Sequence, residues 1–111
     1  MLYYSRGSVQ DILSFADLRS GLHKTLGLLG EKKKVLIVPP DITRVHSQAG
    51  PLTRFAVQYY GSQVTDILPA IGTHDPMTDG EIATMYGDLP RSLFRKHDFR
   101  HALATLGEVP A

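Results

Sequence analysis

The chain contains no cysteine and no tryptophan. Without cysteine there is no disulfide, no thiolate metal ligand and no thiol nucleophile, so its chemistry must run on nitrogen and oxygen groups. The same absence leans the compartment toward the cytoplasm. Charge of one sign is lacking too: twelve Lys and Arg face eleven Asp and Glu, for a net charge of +1. That balance creates no field able to draw nucleic acid or an anionic membrane as the main partner. The single basic run, Lys32-Lys33-Lys34, precedes an apolar segment and reads as a solvated turn. No apolar run approaches the ~20 residues of a membrane span, and the stretch from Met1 to Arg6 has no secretory apolar core. Neither Gly-x-Gly-x-x-Gly nor Gly-x-x-x-x-Gly-Lys-Ser/Thr occurs, so a dinucleotide fingerprint and a P-loop are both unsupported.

What is present is 111 residues, 42% apolar and 21% charged, the balance of one soluble globular domain with a modest core. A layered fold fits in that length, but an interdomain cleft does not. Val35-Leu36-Ile37-Val38, stopped by Pro39-Pro40, is a continuous β-branched run of the kind expected for a strand buried on both faces. Ser47 to Gly61 then reads as a helix, with Pro51 in its first turn and Leu52, Phe55, Ala56 and Tyr59 forming one apolar face to lie on a sheet. Val64 to Ile71 is a second buried strand ending at Gly72. Strand, helix and strand make a βαβ unit, right-handed in ~98% of cases, so the strands should run parallel and share a C-terminal edge. The expected class is therefore α/β, a Rossmann-like layered domain over residues 1–111 with a mainly parallel sheet flanked by helices.

Before this unit, Leu18, Leu22, Leu26 and Leu29 mark a helical face ending near Gly30, with Ser14 and Asp17 spaced as a cap. After it, Thr78-Asp79-Gly80-Glu81 has capping-box spacing and opens a short helix through Ile82, Met85 and Tyr86 to Gly87, with a further helical turn after Pro90. The tail from His97 to Gly107 reads as an extended segment or strand, and no helix follows to cover it. The polypeptide is accordingly expected to be the front end of something longer.

In open α/β sheets ligands bind beyond the carboxyl ends of the strands. Two loops fall there, Pro39 to Ser47 and Gly72 to Thr78, and they place Asp41, Arg44 and His74 on one rim. Arg44 offers a planar fork of donors suited to a carboxylate or phosphate, its plainer role being an ion pair with Asp41. His74 follows a Gly-Thr turn directly off a strand, where an imidazole can take or give a proton near neutral pH; its plainer role is a polar loop side chain. Gly72 and Thr73 precede a helix whose free N–H groups offer an anion site, Gly permitting close approach. His97 and His101 have the i, i+4 spacing that metals use on a helix, but the extended reading of that segment argues against a metal pair, and no metal ligand is expected in this chain. Tyr3-Tyr4 and Tyr59-Tyr60 read as packing, since no basic residues interleave them for stacking bases.

Asp41-Ile42-Thr43-Arg44 resembles the Asp-x-Thr-Arg loop of the nickel-dependent lactate racemase family, and Gly72-Thr73-His74-Asp75-Pro76-Met77-Thr78 with Glu81 resembles its Gly-Thr-His-Arg-Pro-Met-Thr segment. The likeness runs from about Lys34 to His97 in that family's N-terminal domain. It implies a two-domain α/β enzyme holding a nickel-pincer nucleotide between its domains and racemising or epimerising a small 2-hydroxy acid by proton-coupled hydride transfer at C2. By this resemblance His74 is a catalytic acid/base, Arg44 binds the substrate carboxylate, Asp41 orients the loop or the reacting hydroxyl, and Thr43, Gly72 and Thr73 contact the cofactor. Asp75 stands where the family often has Arg, a charge reversal that bears on substrate identity. The family's second acid/base His, the Lys that attaches the cofactor and the nickel-ligating His lie downstream, in the C-terminal domain, so this chain alone is expected to hold no cofactor and to be inactive. Two other readings stand beside this one: a stand-alone α/β module gripping a carboxylate or phosphate through Arg44 and the Gly72-Thr73 turn, and a homodimer formed through an exposed sheet edge.

Overall fold

In the computed structural model, which describes residues 1–110, the first helix begins where its cap dictates. The Ser14 side chain accepts from the Asp17 N–H and the Asp17 carboxylate accepts from the Ser14 N–H, so two of the helix's orphan donors are met reciprocally and α1 runs over Phe15–Leu28. These Ser14 hydrogen bonds, together with the Arg6 guanidinium 2.5 Å away, hold the Asp17 carboxyl down at about 2. Strand β1 covers Val35–Ile37, α2 covers Ala49–Tyr60, β2 covers Val64–Ile67 and α3 covers Asp79–Tyr86, with single 3-10 turns at Ile42–Ser47, Gly61–Gln63 and Arg91–Leu93. The two strands pair in parallel, as the βαβ reading expects. The described chain is thus a small parallel sheet flanked by helices.

The register explains how a four-residue strand with Thr65 and Asp66 at its centre buries both its ends. Val35 faces Val64, but Leu36 faces Asp66, leaving Thr65 as an extra residue. The extra residue resets the alternation, so Val64 and Ile67 fall on the same face beside Val35 and Ile37. That face is covered by Leu26 of α1 and by Val57 and Tyr60 of α2. The other is not: Leu36 is 55% and Val38 57% exposed, so β1 is not buried on both faces as its unbroken apolar run suggests. Helices reach residues of one parity only. Beyond the strands the pairing continues, with Leu68 N–H donating to Ile37 C=O and Ala70 N–H to Pro39 C=O at 2.7 Å.

The helix expected over 47–61 is split. Gln48 adopts a left-handed conformation, φ 64°, between the 3-10 turn and α2. Its predicted apolar face is also one step off. Gly50, Thr53 and Tyr60 are the buried positions of α2, whereas Tyr59 packs on the His23 ring of α1 and the Phe55 carbonyl lies 2.9 Å from His23 Nε2. Small residues let the α2 backbone come close to α3: a Cβ on Gly50 would stand 2.0 Å from the Met85 carbonyl oxygen. Helix α3 has the expected capping box, Thr78 with Glu81, and buries Ile82, Met85 and Tyr86. These join Met77 in one apolar cluster, and Tyr60, Val64 and Ile67 form another; Leu89 and Phe94 pack against both.

Of the two expectations for 97–107, an extended segment or a strand, the strand does not form. Phe94 already occupies the position beside β2, bridging Ile67 in parallel, with Arg95 N–H donating to Ile67 C=O at 2.8 Å. The residues after it, past Arg95, do not join the sheet: a turn spans 99–102, and Leu103, Leu106 and Val109 stand exposed. Among the described residues no helix is long and apolar enough to cross a membrane. Because the Met85 carbonyl is backbone and cannot swing away, Gly50→Ala should cost about 2–3 kcal/mol through forced separation of α2 and α3, seen as a drop of roughly 8–20 °C in Tm by calorimetry.

Candidate functional site

Asp41 is the last residue before the chain turns away from the sheet, and it is buried, 4% exposed. A buried carboxylate needs donors on both oxygens. Oδ1 accepts the Thr43 N–H at 3.1 Å and the Thr43 hydroxyl, which caps the Ile42–Ser47 turn; Oδ2 lies 2.6 Å from His74 Nδ1. Burial alone would push this carboxyl up, but the hydrogen bonds from Thr43 and His74 outweigh it and leave it below its ordinary 3.8. At neutral pH it is therefore an acceptor only, and the proton between the pair belongs to His74 Nδ1. In the neutral form of the ring, Nε2 is then the nitrogen with the lone pair.

His74 reaches Asp41 because the second loop turns sharply. Gly72 sits at φ 59°, and His74 N–H closes the turn on the Ile71 carbonyl at 2.9 Å. A side chain at Gly72 would meet nothing within 4 Å, so the glycine is needed here for its backbone angle. The His74 side chain is 59% exposed, with one ring nitrogen held inward. The rim inferred from strand polarity thus brings Asp41 and His74 into contact.

Arg44 lies on the same turn, its N–H bonded to the Asp41 carbonyl, and its side chain is exposed. It forms no ion pair among the described residues, so the Asp41–Arg44 pair considered from spacing does not form; His74 holds the oxygen that such a pair would use. Thr43 spends both its donors on Asp41. Gly72 and Thr73 do not lie at a helix N-terminus, since α3 starts only at Asp79, and its first turn carries Asp79 and Glu81 with the Glu81 carboxylate on Thr78. The anion site expected of that helix is therefore excluded by two carboxylates. His97 and His101 share no helix; His101 Nδ1 instead lies 3.2 Å from Asp98.

Tyr86 escapes a sequence reading of the site. It is wholly buried on α3, its hydroxyl donates to the Pro40 carbonyl, and burial, with the Asp41 charge adding, pushes its phenol up to about 12. Nothing in the pattern distinguishes it from an ordinary core aromatic. A cavity of about 210 Å3 opens beside the rim between Ile71, Pro76, Met77 and His97, and another of about 590 Å3 lies between the N-terminal segment and α1. Neither is lined by Asp41, Arg44 or His74; of these, Arg44 and His74 are exposed and Asp41 is buried.

Comparison with known proteins finds no matching family model and no matching curated protein. Among solved structures, the chain is similar to a structural-genomics protein from Thermotoga maritima, with 32% identity and a TM-score of 0.63 over 89% of this chain. The chain spans 24% of the length of that protein. The fold of the described residues thus recurs as part of a larger polypeptide.

Asp41 gives a pH dependence with a defined sign. A carboxyl whose folded pKa lies below its unfolded value of 3.8 contributes stability that is complete above that value and lost as pH falls through the folded pKa. The Tm advantage of the wild type over Asp41→Asn should therefore shrink as pH falls below 3.8, measured by thermal melts from about pH 5 downward.

Proposed function

We propose that this chain is the N-terminal portion of a lactate racemase-like isomerase, a Rossmann-like domain that brings an acid/base histidine and a carboxylate-binding arginine to a shared active site. The observation that carries the reading is the Asp41–His74 contact at 2.6 Å beside an unpaired, exposed Arg44. Asp41 fixes the His74 tautomer and steadies the imidazolium that forms when Nε2 takes a proton. The proton comes from the C2 hydroxyl of a small 2-hydroxy acid, while the Arg44 guanidinium holds its carboxylate through a two-point fork. Return of the proton from Nε2 completes the exchange. With its ring exposed and Nδ1 tied down, His74 can serve a ligand approaching from outside the sheet.

The cofactor implied by this reading is a nickel-pincer nucleotide, which supplies the hydride acceptor for C2 when bound. The residues present suit its non-metal portion: the Gly72-Thr73 turn is exposed and has open space above the glycine, and the Thr73 hydroxyl is a ready donor. Thr43, committed to Asp41, supports the rim instead of contacting the cofactor. The nickel ligands and the attaching lysine belong, on this reading, to the C-terminal domain, which also closes the cleft that the open rim leaves unformed. A cytoplasmic location accords with a cysteine-free chain.

In the full-length protein, His74→Ala should lower racemisation of a 2-hydroxy acid by roughly 10²–10⁴-fold while leaving cofactor attachment intact. Activity retained in that variant would remove His74 from the mechanism. Arg44→Lys should raise KM with little change in kcat, because an ammonium cannot reproduce the guanidinium fork. If instead the 111-residue chain binds acetate or phosphate saturably in an Arg44-dependent way and no racemisation accompanies it, the anion-binding module is the better account.

A further inference from the structure

Pro39 and Pro40 lie between β1 and Asp41 and carry no N–H, so the ladder that holds a strand cannot donate from this segment. Only its carbonyls can anchor it. Pro39 C=O accepts the Ala70 N–H at 2.7 Å, and Pro40 C=O accepts the Tyr86 hydroxyl. The Tyr86 bond is thus the last fixed point of the chain before the Asp41 carboxylate. Tyr86 itself belongs to α3, the helix that follows the His74 loop, and it is clamped by the Phe94 ring at 5.3 Å and by Met77, Ile82 and Met85 in the same cluster. The two loops are therefore joined twice, by Asp41 to His74 at the surface and by Pro40 to Tyr86 beneath.

From this double closure we infer that Tyr86 is a positioning residue for the Asp41–His74 pair, setting the orientation of the Asp41 carboxylate by holding the Pro40 carbonyl. The inference rests on the pair having a role as acid/base, as proposed above, but its geometry can be tested without substrate or cofactor. A carbonyl can only accept, so the Tyr86 hydroxyl must donate, and phenylalanine keeps the ring packing while deleting that donor alone. With the donor gone, the Pro40–Asp41 peptide loses its one side-chain anchor and the carboxylate is free to turn from Nδ1.

The test is long-range proton–nitrogen correlation NMR on the His74 ring of the 111-residue chain, at a pH where the ring is neutral. The wild type should show the Nδ1–H tautomer with Nε2 unprotonated. Tyr86→Phe should lose that preference and populate the Nε2–H tautomer, and Asp41→Asn should do the same. Ile82→Val, on the same helix and in the same cluster, should leave the tautomer as in the wild type despite its loss of packing. An unchanged tautomer in Tyr86→Phe would overturn the inference. Should that variant not fold, the wild type decides: a slowly exchanging hydroxyl proton with a cross-peak to Pro40 or Asp41 supports the tether, and an unprotected hydroxyl overturns it. Racemase activity could be absent altogether with the tautomer result standing, so the two readings fail separately.

Discussion

The cost of putting one carboxylate out of water organises this molecule. Asp41 is nearly sealed at the end of β1, and an ionised carboxyl in such a place is tolerated only when donors face both oxygens. Two come from Thr43, which forces the chain into a 3-10 turn directly after Asp41. The third comes from His74, at the end of the other strand, and it requires the left-handed turn at Gly72. The requirement to satisfy a single buried group thus dictates the path of both loops. Strand polarity brings the loops to the same edge; hydrogen bonding makes them a site.

That edge is rigid where it needs to be. The paired prolines stiffen the exit from β1, the Ala70 N–H extends the pairing past the last regular strand residue, and α3 is held near α2 by the absence of a side chain at Gly50. The irregularity at Thr65 serves the same end from the other side of the sheet, because it puts Val64 and Ile67 under the helices while Asp66 faces outward to pair with Arg95 at 2.5 Å. The ends of the strands are therefore fixed by apolar packing on one face, and the polar rim is hung from them.

How much of this could be read from the residues alone depended on whether the signal was local. Capping boxes are complete within four residues, and both, at Ser14 and Thr78, were legible with their helices. Strand, helix, strand and their parallel pairing followed from apolar runs and punctuation. The failures are all non-local. Apolar spacing shows that Leu52, Phe55 and Tyr59 want company but not whether a sheet or another helix provides it; here Gly50 takes the tight contact with α3 and Tyr59 packs on His23 of α1. The unbroken run of β1 looked doubly buried, yet only one side has a partner. The tail read as an extended segment or strand, but beyond Phe94, which bridges Ile67 of β2, none of the described residues joins the sheet. In the site, Asp41 and His74 were legible as rim residues from topology, whereas the role of Thr43 and the reach of Tyr86 depend on atoms that no spacing rule locates.

The state of Arg44 follows from the same carboxylate. Spacing alone offers Asp41 two cationic or donor partners, the arginine three positions on and the histidine of the other loop. Its oxygens are filled by Thr43 within the turn and by His74 from across the rim. Once His74 is taken, Arg44 has no carboxylate to neutralise it and stands in solvent with its fork of donors unused. An exposed guanidinium costs little when solvated, so nothing in folding penalises this arrangement. What it leaves at the end of the sheet is a division imposed by one acid: a histidine held by Nδ1 with the rest of its ring exposed, and, three positions after Asp41, a guanidinium in no ion pair among the described residues.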